Sequence, residues 1–128
     1  MNLIDIAKKA RENSYSPYSN FKVGAALLTK SGKVYTGCNV ENGAYSPSCC
    51  AERTSFVKAI SEGAKEFDSI AVVGGKDNTD EFCLPCGVCR QFMSEFCDRN
   101  FKIYVTNNKD IKCYTLEELL PHSFKLEK

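Results

Sequence analysis

The chain has 128 residues, 43% hydrophobic and 26% charged, with a formal net charge of +1, so one domain over residues 1–128 with a core of its own is expected and a second is not. Lysines and arginines interspersed among acidic residues form no basic stripe that would gather nucleic acid by counterion release. No run of about 18 apolar residues could cross a membrane, and Met1-Asn2-Leu3-Ile4-Asp5 has neither a basic leader nor an apolar signal core, so the expectations are a small neutral substrate, no nucleic-acid or membrane partner and a cytoplasmic location.

Leu3, Ile6, Ala7 and Ala10 recur at helical spacing until Glu12-Asn13-Ser14 and Pro17 end the pattern. Val23 to Thr29 and Val34 to Val40 are β-rich runs joined over Lys30-Ser31-Gly32-Lys33, a short polar turn that predicts an antiparallel hairpin. Cys50 to Glu62 reads as a helix closed by Gly63, and Ser69 to Val73 as a short buried strand. Residues 74–85, with Gly74-Gly75 and Asp77-Asn78, form the longest expected loop. It leads into a helix from Cys86 to Cys97 and a strand from Phe101 to Val105. Ile111 to Tyr114 offers a fifth strand, and Thr115-x-x-Glu118 is a capping box for a short helix ended by Pro121.

Eight cysteines, at 38, 49, 50, 83, 86, 89, 97 and 113, would suggest disulfides in a short secreted chain. Here no secretion signal is read, the apolar content makes covalent staples unnecessary, and adjacent Cys49 and Cys50 are awkward partners for bridges to separate sites. Cys38, Cys97 and Cys113 lie in apolar runs and are expected to be small buried hydrophobes, whereas Cys49 and Cys83 flank the motif cysteines without an assigned role.

The chemistry concentrates in Cys50-Ala51-Glu52 and Pro85-Cys86-Gly87-Val88-Cys89. Three thiolates and a free carboxylate are the inventory of a catalytic zinc site, because a tetrahedral ion with three protein ligands keeps its fourth position for water. The pattern, a Cys two residues before a non-ligating Glu and later Pro-Cys-x-x-Cys, is the signature of zinc nucleobase deaminases. Each motif opens an expected helix, so two positive helix ends should converge on one zinc per chain and stabilise its thiolates. Pro85 suits such an entry because it lacks an N–H that the first turn would leave unpaired.

Four blocks then resemble the homotetrameric cytidine deaminases over essentially the whole chain. They are Asn20-Phe21-Lys22-Val23-Gly24-Ala25-Ala26, Gly37-Cys38-Asn39-Val40-Glu41-Asn42, Cys50-Ala51-Glu52-Arg53-Thr54 and Pro85-Cys86-Gly87-Val88-Cys89-Arg90-Gln91. The resemblance implies an α/β three-layer sandwich, with helices on both faces of a five-stranded mixed sheet, and a homotetramer with shared active sites. It implies that Asn39 and Glu41 hydrogen-bond the ribose and that Phe21 contacts the base. It further implies that Tyr45 and Phe124 reach the site of a neighbouring subunit. The chain departs from the family pattern in Tyr45-Ser46-Pro47-Ser48-Cys49, where Pro47 is unexpected and Cys49 offers a competing thiol.

The expected reaction is hydrolysis of cytidine and deoxycytidine to uridine and deoxyuridine with release of ammonia, a step of pyrimidine salvage. Zinc-bound hydroxide would attack C4 while Glu52 carries protons to N3 and then to the departing amine. Three thiolates on one dication leave a net negative charge, which the Arg53 guanidinium could offset by donating to sulfur; an exposed arginine early in a helix is the plainer reading of the same residue. Without the resemblance, Phe21 and Phe124 would be core aromatics, and Asn39 and Glu41 turn or strand-end residues. His122, the single histidine, follows Pro121 and is expected to face solvent outside the site. Two competing readings are a deaminase of another cytosine nucleoside, such as a nucleoside antibiotic, and a structural zinc module with Cys49 or Cys83 as fourth ligand.

Overall fold

The computed structural model describes residues 2–128; Met1, counted in the expected domain span, lies outside them. The elements run α1 (Leu3–Arg11), β1 (Phe21–Thr29), β2 (Val34–Cys38), α2 (Ala51–Ser61), β3 (Phe67–Lys76), α3 (Gly87–Phe96), β4 (Lys102–Thr106), β5 (Ile111–Thr115) and α4 (Leu116–Leu119). Their order is the one expected, and the strands form a single mixed sheet in the order β2-β1-β3-β4-β5. Every neighbouring pair is antiparallel except β3 with β4, whose connection passes through α3.

Alternation along the strands builds three layers. Ala25 and Leu27 of β1, Ile70 and Val72 of β3, and Ile103 and Val105 of β4 face α2 and α3, where Phe56, Cys89 and Met93 complete the larger core. Ala26, Ala71 and Val73 point the other way, against Ala7 of α1. Central β3 is buried on both faces and reads as a continuous apolar run. Phe56 centres an aromatic cluster, 5.1 Å from Phe67, 5.9 Å from Phe101 and 6.0 Å from Phe92 between ring centroids. Gly24 lets α1 lie directly on β1, since a Cβ there would fall 2.1 Å from the Ala7 carbonyl oxygen.

The clearest departure from expectation is at Gly74-Gly75, read from sequence as the start of a loop. Both belong to β3, paired with Val23 and Lys22, and the loop begins only at Asp77 and Asn78, whose φ angles are 52° and 64°. Two glycines carry little strand propensity, but pairing with β1 overrides it. Gly75 is required there because Thr79 folds back over it, leaving a Cβ 2.1 Å from the Thr79 carbonyl. The same pairing extends β1 to Phe21, ahead of the expected Val23. β2 stops at Cys38, because Val40 leaves the ladder to bridge Tyr15 and Cys49.

The cysteine expectation holds only in part. Cys97 is buried, Cys38 is half-buried, and Cys113 is exposed. Cys113 lies on β5, an edge strand whose first three residues are open to solvent, so an apolar neighbourhood in sequence did not translate into burial. At α4 the Thr115–Glu118 capping box forms with both reciprocal bonds.

Candidate active site

Cys50 and Cys86 are the N-cap residues of α2 and α3, both with extended backbones and neither using its side chain as a cap. Their sulfurs therefore stay free while their carbonyls accept the first helical bonds, from Thr54 and Arg90, each at 3.0 Å. Cys89 follows within the first turn of α3 and is fully buried. The Cys50 and Cys86 sulfurs are 3.5 Å apart, and all three sulfurs lie within 4.8 Å of one another. Zinc bound tetrahedrally through sulfur at about 2.3 Å would set its sulfurs about 3.8 Å apart, so the donor set fits one zinc ion per chain.

Neither Cys49 nor Cys83 joins this cluster among the described residues. The Cys49 sulfur accepts from the Thr54 hydroxyl at 3.5 Å, and burial, with the Glu52 charge nearby, pushes the Cys83 thiol up to about 12. A closed four-sulfur site thus finds no fourth sulfur in place. Hydrogen bonds with Cys89 and Cys86, reinforced by Arg53, outweigh burial and hold the Cys50 thiol well below its ordinary pKa. Facing that thiolate, the Cys89 thiol is raised.

Glu52 is the second residue of α2 and is only 4% exposed. Burial raises its carboxyl to about 7 against the pull of its own backbone N–H; the Cys50 charge adds to the rise and Arg53 opposes it. Arg53 donates to the Ser48 carbonyl at 3.1 Å and to the Cys50 sulfur at 4.0 Å. Burial works against its charge, yet bonds to Cys50 and Cys89 hold the guanidinium above its ordinary pKa. Its Nε is buried without a hydrogen-bond partner among the described residues.

A cavity of about 450 Å³ opens over this cluster, within the range of small-molecule sites. Cys50, Cys86 and Glu52 lie at one side, with Phe21, Asn39 and Glu41 also in its lining. Asn39 is committed to holding the wall: its side-chain oxygen accepts from the Val23 N–H at 2.9 Å and from the Ser14 hydroxyl at 2.5 Å, and its amide donates to the Phe21 carbonyl at 2.7 Å. Glu41 accepts from the Tyr18 and Ser19 backbone N–H groups at 3.0 and 3.2 Å, and from the Ser19 hydroxyl.

Tyr45 and Phe124 are not brought into this cavity. Tyr45 is 76% exposed and borders a neighbouring hollow with Tyr18 and Asn42. Phe124 is 64% exposed on the C-terminal tail, where His122 is also exposed. Conversely, Phe82 and Leu84, with Cys83 between them, belong to the cavity lining; sequence reading did not single out the first two and weighed Cys83 only as a fourth ligand. Their signal was position, since they immediately precede Pro85-Cys86.

Residues 1–105 match the family model described as the cytidine and deoxycytidylate deaminase zinc-binding region. A cytidine deaminase of Sporosarcina psychrophila is 51% identical over 126 residues, covering 98% of this chain and 90% of that protein. One of Halalkalibacterium halodurans is 48% identical, covering 98% and 93%. The crystal structure of cytidine deaminase from Burkholderia pseudomallei superposes with a TM-score of 0.87 at 47% identity, over 95% of this chain and 96% of that one. With the three-sulfur cluster and buried Glu52 already in place at the motif positions, these matches establish that the chain belongs to the zinc-binding cytidine and deoxycytidylate deaminase family.

Proposed function

We propose that residues 1–128 act as a single catalytic domain that hydrolyses cytidine and deoxycytidine to uridine and deoxyuridine, releasing ammonia, in pyrimidine salvage in the cytoplasm. The observation that carries this reading is the Glu52 carboxyl, 4% exposed and raised to about 7, in a cavity lined also by Cys50 and Cys86 of the three-cysteine cluster.

Cys50, Cys86 and Cys89 would hold the ion. Zinc bound there supplies Lewis acidity and a water activated near neutral pH. The ends of α2 and α3 and the Arg53 guanidinium, 4.0 Å from the Cys50 sulfur, offset the excess thiolate charge. Glu52, its carboxyl raised by burial, accepts a proton from the attacking water, donates one to N3 of the cytosine and then helps deliver one to the departing amine. Phe21 packs against the base, and Glu41 with the free amide N–H of Asn39 meets the ribose hydroxyls.

The exposure of Tyr45 and Phe124 supports a homotetramer in which both complete a neighbour's site, since each is a large side chain with little to pack against in its own chain. The deciding experiment follows the ultraviolet change as cytidine becomes uridine, before and after removal of metal by a chelator. Conversion that stops on chelation and returns with zinc is the expected result. An intact zinc-loaded protein that leaves cytidine and deoxycytidine untouched would overturn the proposal.

A further inference from the structure

We propose that Arg11 is a positioning residue that fixes two parts of the substrate cavity lining, β1 and the loop after β3, relative to one another with one guanidinium. Arg11 ends α1 and is only 8% exposed, an unusual place for a side chain with five N–H donors. Its Nε donates to the Lys22 carbonyl at 2.9 Å, between the cavity residues Phe21 and Val23. One Nη donates to the Gly75 carbonyl at 3.0 Å and to the Thr79 carbonyl. The other pairs with the Asp80 carboxylate at 2.5 Å, and the Asp80 side chain is itself only 14% exposed.

Asp80 stands two residues before Phe82, which opens the Phe82-Cys83-Leu84 wall and leads into Pro85-Cys86. One planar group therefore links the β1 backbone at Lys22 to the loop that leads into the Phe82–Leu84 wall. Two further backbone ties run beside it: the Glu81 N–H donates to the carbonyl of Gly74, which pairs with Val23, at 2.8 Å, and the Asp77 N–H donates to the Asn20 carbonyl at 3.1 Å; neither reaches Asp80. Nearby Lys8 reaches Asp80 at 3.8 Å and is more exposed. Lysine at position 11 would keep the charge but lose the rigid fork that satisfies two carbonyls and a carboxylate together. Arg11 is not among the residues that line the cavity or cluster at the metal site, and Cys50 and Glu52 ride on α2, to which none of its hydrogen bonds runs.

The inference rests on the proposed deaminase reading, and its consequence is specific: loosening the clamp should weaken substrate binding while sparing the proton-transfer step. Arg11→Lys and Asp80→Asn are made in the full chain and assayed beside the unsubstituted protein for zinc stoichiometry, for KM and kcat with cytidine, and for the calorimetric Kd of uridine. The expected result is KM and Kd raised about tenfold, kcat within about threefold and one zinc retained per chain. If Arg11→Lys yields no soluble protein, Asp80→Asn decides alone, since it removes the carboxylate charge from one of the four bonds and leaves the other three untouched. Unchanged KM and Kd in folded variants would overturn the clamp, as would a rise in KM accompanied by a kcat loss beyond about threefold or by zinc loss. An unsubstituted chain that neither converts cytidine nor binds uridine would overturn the deaminase reading and the clamp with it; one that does both beside unaltered variants overturns the clamp alone.

Discussion

The Cys50 and Cys86 sulfurs stand 3.5 Å apart although 36 positions separate them in the chain. The fold achieves this by ending two loops at neighbouring helix N-termini on one face of the sheet, so the metal site is a consequence of where α2 and α3 begin. That relationship makes the ligand set testable sulfur by sulfur.

Cys50→Ala, Cys86→Ala and Cys89→Ala should each lose zinc, whereas Cys49→Ala should keep one ion per chain, as read by metal analysis of the purified proteins. Adjacent residues make the comparison sharp, because Cys49 faces Thr54 and stands outside the sulfur cluster. Equal zinc loss from Cys49→Ala and Cys50→Ala would point to four sulfurs and favour a structural zinc module.

Glu52→Gln should keep zinc and the fold while lowering turnover by at least about 10²–10⁴-fold, because the proposed mechanism asks one carboxyl to serve several proton transfers. The substitution preserves shape and removes a buried group that titrates at about 7. Near-unchanged turnover in a zinc-loaded Glu52→Gln protein would exclude Glu52 as the proton carrier.

The Glu41 carboxylate orders residues 18 and 19. Burial alone would raise its pKa, but bonds from the Ser19 hydroxyl, the Ser19 N–H and the Tyr18 N–H together hold it below the ordinary 4.5. A depressed folded pKa means that the stabilisation is present above 4.5 and disappears as pH falls through the lower folded value. In an NMR titration the Tyr18 and Ser19 amide signals should move together with a midpoint below 4.5. A midpoint at or above that value, or independent movement of the two amides, would show that the carboxylate does not hold them.

Features that depend on short spacing were legible before any coordinates. Cys50 and Glu52 lie two apart, Cys86 and Cys89 three apart, and the Thr115–Glu118 box is local by construction, so helix geometry alone orders them. Features that depend on distant pairing were not. Gly74-Gly75 reads as a turn until β1 is laid beside it, and the Phe82–Leu84 wall acquires meaning only when the loop after β3 folds over the cavity. Arg11 drew no reading from the sequence, because nothing local announces that Asp80 will meet it. Tyr45 and Phe124 were singled out by resemblance, and the isolated chain leaves both at its surface.

Phe124 carries the test of shared sites. It follows the break at Pro121 and is 64% exposed, while the tail around it is tied down by charged groups: Lys125 donates to the Cys97 carbonyl at 3.4 Å, and Lys128 pairs with Glu95 at 3.4 Å. The segment is thus held along α3 with its aromatic ring turned out. If that ring packs against the base bound in an adjacent subunit, its apolar contact contributes roughly 1–3 kcal/mol. Phe124→Ala should then raise KM for cytidine while zinc content and monomer folding stay unchanged. Mixing it with Glu52→Gln sharpens the test, because subunits lacking Phe124 retain Glu52 and subunits lacking Glu52 can lend them Phe124. Mixed assemblies should regain part of the lost substrate affinity at sites that still possess Glu52. No recovery after verified subunit exchange, or a monomer with full activity, would show that each chain completes its own site.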